Sequence, residues 1–88
     1  MMYPYMTFGD GTEVTHSPVK EDGTVKVYIE TPTDDGFKNL TCTLPDYNWE
    51  NNGYDNKELE HWKEYVRNNA HIILELAKVG GFANATAI

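Results

Sequence analysis

Hydrophobic positions follow two different periods along this chain. From Tyr5 to Leu44 they alternate with polar ones, and from Leu59 to Ala77 they return every three or four residues. Alternation marks half-buried strands, and the longer period marks a helix with one apolar face. The clearest alternation is Val25 to Thr31, where Val25, Val27 and Ile29 oppose Lys26, Tyr28 and Glu30. Phe37 to Leu44 sets Leu40, Cys42 and Leu44 against Asn39, Thr41 and Thr43. Two shorter runs come earlier. Tyr5 to Phe8 would place Met6 and Phe8 on one face with Tyr5 and Thr7 on the other, and Thr12 to Ser17 would pair Val14 with His16. Gly9-Asp10-Gly11, Glu21-Asp22-Gly23 and Asp34-Asp35-Gly36 separate the four runs at hairpin spacing.

The helical pattern carries its own start and stop. Asp55 and Glu58 have the spacing of a capping box, with Tyr54 and Leu59 placed to close a hydrophobic staple over it. Leu59, Trp62, Val66, Ala70, Ile73 and Ala77, with Leu76 beside them, form the apolar face. Glu60, Lys63, Glu64, Arg67 and Glu75 take the flank and back, and Gly80-Gly81 supplies a left-handed stop. The spacing predicts a helix over 55–79, about 37 Å long at 1.5 Å per residue, which exceeds a strand of about 20 Å. Short turns imply antiparallel neighbours, and the helix is the cover their apolar side needs. The expected fold is α+β: a four-stranded antiparallel β-meander within 5–44, an aromatic loop at 45–54, and one long C-terminal helix packed across one face. The tail, 82–88, is expected to fray, with Phe82 as its one anchor.

Composition narrows the function classes. At 88 residues the chain is read as a single domain, 1–88, and 40% apolar with 24% charged residues is the balance of a folded protein. A net charge of −7 with seven basic residues argues against direct nucleic-acid binding, which needs a clustered Lys/Arg surface. A lone Cys42 excludes an intrachain disulfide. With no membrane-length apolar run and no secretory leader pattern, the expected location is cytoplasmic.

Groups able to do chemistry do not assemble at diagnostic spacings. His61 and His71 lie ten residues apart on the helix, and neither has a His or Cys one turn away to complete a ligand pair. His16 is expected to be a buried, hydrogen-bonded histidine. Ser17 follows it on a strand, where consecutive side chains point to opposite faces. Cys42 is expected to be a core thiol, and the helix glutamates to be solvated charges beside Lys63, Arg67 and Lys78. No catalytic residue, metal or cofactor is assigned.

Contact surfaces are the better supported candidates. Tyr65, Ile72 and Val79 recur every seven residues beside the main helical face and widen its apolar arc. Tyr5 and Tyr28 are expected on the open face of the sheet, with Tyr47, Trp49 and Tyr54 in the loop, each with an apolar body and a polar tip. Asn69 falls on the apolar arc between Val66 and Ile73 and is expected to be a buried amide bonded to backbone of the 46–54 loop.

Tyr3-Pro4-Tyr5-Met6-Thr7-Phe8, Leu44-Pro45-Asp46-Tyr47-Asn48-Trp49, Asn68-Asn69-Ala70-His71 and Ala77-Lys78-Val79-Gly80-Gly81 resemble the wording of small uncharacterised proteins of gut Firmicutes and their mobile elements. Strands followed by a helix, with Leu-Pro before it and a late Lys and Gly, also resemble short domains associated with toxin–antitoxin loci. Neither resemblance implies an activity, cofactor or catalytic residue. The leading expectation is a non-enzymatic interaction domain that binds a protein partner or forms a homodimer. The alternatives are an acidic decoy that mimics nucleic acid, and a small enzyme or glycan-binding module built on the aromatic loop.

Overall fold

The computed structural model describes residues 1–81. The expectation for the tail, 82–88 with Phe82, lies outside the described residues. Strands β1 (Tyr3–Thr7), β2 (Glu13–His16), β3 (Val25–Thr33), β4 (Gly36–Leu44) and β5 (Asn48–Asn52) precede helix α1 (Asn56–Val79). The strands form one antiparallel sheet in the order β1-β2-β3-β4-β5.

The α+β class is as the sequence predicts, but the strand count of four is corrected to five. β5 lies inside the segment read as a loop. Its sequence, Asn48-Trp49-Glu50-Asn51-Asn52, holds a single apolar residue and therefore no alternation. Pairing with β4 draws it into the sheet, with Trp49 opposite Cys42.

One sheet face carries Val14, Val25, Val27, Ile29, Leu40, Cys42 and Leu44, all buried. The matching stripe of α1, Trp62, Val66, Ala70, Ile73, Leu76 and Ala77, closes over them in one continuous cluster. Each fully buried Val, Leu or Ile contributes about 1.5 to 3 kcal/mol from the area it removes from water. The opposite face remains polar, with Glu13, Thr15, Lys26, Tyr28, Glu30, Thr41 and Thr43 exposed or half-buried.

Both helix ends follow from local chemistry. The Asp55 carboxylate accepts the Glu58 N–H at 2.8 Å, and Glu58 Oε1 accepts the Asp55 N–H at 3.2 Å, which completes the capping box. The other oxygen of Glu58 takes a hydrogen bond from the Lys38 ammonium of β4. One carboxylate thus closes the first turn and ties it to the sheet. At the other end Gly80 is left-handed (φ 86°), and the Gly81 N–H reaches back to the Leu76 carbonyl at 2.8 Å. Gly81 also lies against β1: a Cβ there would stand 3.1 Å from Tyr3.

β1 departs from the expected facing. Its register with β2 shifts between Pro4 and Met6, so Tyr5 is an extra residue in the ladder. A bulge of this kind re-aims the side chain it displaces. Tyr5, expected on the open face, turns inward and is buried, while Met6, expected inward, is 44% exposed. The Tyr5 hydroxyl donates to Asn69 Oδ1 at 2.7 Å, and Asn69 Nδ2 donates to the Tyr65 carbonyl at 2.8 Å. The Asn69 amide therefore joins β1 to α1; it is half-buried instead of buried, and its partners are a β1 side chain and a carbonyl of its own helix instead of backbone from the 46–54 loop. Tyr5→Phe is expected to cost about 1 kcal/mol in a urea unfolding titration, the loss of one partly buried hydrogen bond.

Candidate functional site

The two flanks of α1 differ in chemistry. The flank beside β1 carries Tyr65, Ile72 and Val79, which a seven-residue spacing returns to nearly the same angle around the helix. The Tyr5–Asn69 bond and the ring contacts of Tyr65 fix this flank against β1 and the residue that follows it. Tyr65 meets Phe8 edge-on at 5.6 Å and Trp62 at 5.6 Å, and Phe8 meets Trp62 at 5.3 Å. The buried Tyr65 hydroxyl has no hydrogen-bond partner among the described residues. Loss of water pushes its pKa up to about 12, and the neighbouring Tyr5 adds to the shift. Ile72 and Val79 remain 40% and 38% exposed.

At its N-terminal end the stripe runs into two open clefts that share His61. One, of about 240 Å³, is lined by His61, Glu64, Tyr65 and Asn68. The other, of about 360 Å³, is lined by Asp10, Lys57, Glu58, His61 and Trp62. His61 stands edge-on to Trp62 at 4.7 Å. The spacing rule for metal ligands passed over His61. Plotting His61, Tyr65 and Asn68 on one helical wheel would have shown that they border the Tyr65 stripe.

The flank beside β5 is cationic. Lys63 Nζ lies 5.5 Å and the Arg67 guanidinium 6.0 Å from the centroid of the Trp49 ring. Tyr47 stacks on Trp49 at 6.1 Å with an interplanar angle of 28°. Tyr47 holds φ at +57°, a left-handed conformation uncommon for a residue with a Cβ.

The remaining candidates separate. Tyr54, expected among the exposed loop rings, is buried, because the turn at Gly53 (φ 106°) directs it under the start of α1. Its hydroxyl bonds Thr31 Oγ1 at 2.7 Å, and Thr31 bonds Thr12 Oγ1 at 2.7 Å. Tyr54 is therefore a core residue and leaves the contact set. Tyr28 stays on the polar sheet face, half-buried, with its hydroxyl donating to Glu30 at 2.9 Å.

His16 is fully buried, with Nδ1 2.9 Å from the Ser17 carbonyl and its ring 5.6 Å from that of Tyr3. A carbonyl only accepts, so Nδ1 donates to it, and Nε2 has no partner among the described residues. Ser17 Oγ donates to the Pro18 carbonyl and receives the Lys26 N–H, so His16 and Ser17 form no nucleophile–base pair. Cys42 is buried, and desolvation pushes its thiol up to about 11, which keeps it protonated and unreactive near neutrality.

Among the described residues no three His, Cys, Asp or Glu side chains gather as a metal site, and no helix is long and apolar enough to cross a membrane. The carboxylates spread over the turns at Asp10, Asp22, Asp34 and Asp35, the polar sheet face at Glu13 and Glu30, and the helix at Glu60, Glu64 and Glu75. No family model matches the chain, and comparisons with curated proteins and with solved structures give no match.

Proposed function

We propose that this chain is a non-enzymatic protein-interaction domain that docks its partner along the α1 flank beside β1. The observation that carries this reading is the exposure of Ile72 and Val79, at 40% and 38%, in line with Tyr65 and the His61 cleft. A core needs neither side chain out in water, and a partner gains by covering both. The reading requires no catalytic group or cofactor.

The partner's chemistry follows from the residues beside the stripe. His61, Asn68 and Glu75 repeat at the same seven-residue interval as Tyr65, Ile72 and Val79, so the flank alternates an apolar line with a polar one. Two copies packed through this flank would bring Glu64 and Glu75 of each near those of the other, on chains that each carry −7. A foreign amphipathic helix, apolar at one line and basic at the next, meets both lines. The acidic balance of the chain speeds its encounter with such a partner.

The test uses Ile72→Glu with Val79→Glu, since a charge at Tyr65 would also strip its contacts with Phe8 and Trp62. The double variant is expected to unfold within a few degrees of the parent. It is also expected to lose a basic partner recovered by cross-linking from native cells, weakening binding by at least about tenfold. Light scattering across a concentration series is expected to give a monomer. A stable dimer that the double variant dissociates would replace the foreign helix with a second copy. A partner held equally by parent and variant would remove this flank from consideration.

A further inference from the structure

The cationic flank is a separate feature, and the interaction reading does not use it. Arg67 is the only arginine in the chain, and Lys63 lies one turn before it. Lys38 and Lys78 are paired with Glu58 and Glu75, whereas neither Lys63 nor Arg67 has a carboxylate within 4.0 Å among the described residues. Lys20, Lys26 and Lys57 are likewise unpaired among the described residues, so what sets Lys63 and Arg67 apart is the ring they share. Both cations instead lie over the Trp49 ring. A guanidinium held against an aromatic ring is oriented at little further entropic cost, and its N–H donors remain free for a second partner.

Beside them Tyr47 stacks on Trp49, is 37% exposed, and is held by a left-handed backbone at φ +57°. An exposed aromatic ring stacked on the same indole that two cations approach gathers an apolar surface and an oxyanion receptor around one side chain. Asp46 and Asn48, both exposed, flank Tyr47 with groups able to bond hydroxyls. We propose that this ledge, Tyr47, Trp49, Lys63 and Arg67, binds an anionic saccharide: a sugar whose C–H face packs on Tyr47 and whose carboxylate meets Lys63 and Arg67. The ligand is a local one. Two cations on a surface of net −7 do not hold a long phosphate backbone, which needs many more contacts.

The site carries its own reporter, since Trp49 belongs to it and Trp62, the other tryptophan, lies in the core. Trigalacturonate titrated into isotope-labelled protein is expected to shift the Trp49 indole resonance saturably, with a Kd on the order of 0.1 to 1 mM, and to leave that of Trp62 in place. Lys63→Ala with Arg67→Ala is expected to weaken binding by about tenfold or more. Arg67→Lys, which keeps the charge but loses the fork, is expected to fall between. Neutral galactotriose is expected to give no saturable shift. No response to trigalacturonate up to about 10 mM, or an equal response from the double variant, overturns the site. An equal response to inorganic phosphate overturns the saccharide and leaves a bare oxyanion site.

Discussion

Replacing Ile73 with alanine is expected to lower the unfolding free energy by about 2 to 5 kcal/mol, whereas the same change at the adjacent Ile72 is expected to alter it by less than about 1 kcal/mol. The two side chains are chemically identical and differ only in which way the helix turns them. Ile73 is fully buried among the α1 and sheet residues of the core, where truncation leaves a cavity that surrounding strands cannot close. Ile72 already stands 40% in water, and alanine recovers helix propensity there. In a domain of this size the first change removes a large share of the total stability, of order 5 to 15 kcal/mol. Urea unfolding followed by circular dichroism measures both. Equal losses would mean that Ile72 is part of the core and that the proposed docking flank is not a free surface.

The second large effect is expected in alkali. The Cys42 thiol has an ordinary value of 9.0 and is pushed up to about 11 in the fold. Below its unfolded value both states keep the proton, and the full stability is present. Above it the unfolded chain ionises first, so stability falls by about 1.4 kcal/mol per pH unit until the folded thiol also ionises, a total of about 2 to 3 kcal/mol. Tyr65, raised from 10.0 to about 12, extends the decline to higher pH in the same direction. Cys42→Ala removes the thiol's share. The variant is expected to be less stable than the parent at about pH 7 and to lose less stability between about pH 9 and pH 11. Parallel stability curves for parent and variant across that range would contradict a desolvated thiol.

The helix was legible in full because its signals are local. Asp55 and Glu58 cap each other within one turn, and Gly80 needs only its own backbone freedom to stop the helix. β3 was equally legible, since its alternation records burial on one face. β5 was not, because Asn48 to Asn52 joins the sheet through backbone bonds to β4, and backbone bonds leave no trace in side-chain type. Tyr5 shows a different limit. Its facing follows from one extra residue in the ladder with β2, and a bulge reverses the parity on which the alternation argument rests. Tyr54 was read as a loop ring because the sequence does not say that Gly53 folds it under α1. For the candidate site, the seven-residue spacing set Ile72 and Val79 beside the core stripe, where both are partly exposed, while the approach of Lys63 and Arg67 to Trp49 depends on a strand the sequence did not announce.

The approach of Gly81 to Tyr3 bears on how the chain is threaded. The strand that opens the sheet and the turn that closes the helix are neighbours in space, and every strand follows its sheet neighbour in sequence. The path is therefore close to a closed circuit. A short linker across that gap, with the backbone opened instead at the exposed Asp34-Asp35 turn, would leave each hairpin other than β3–β4 intact and would keep the helix over the same face. Where this polypeptide starts is a property of its covalent order, whereas the core is a property of the circuit.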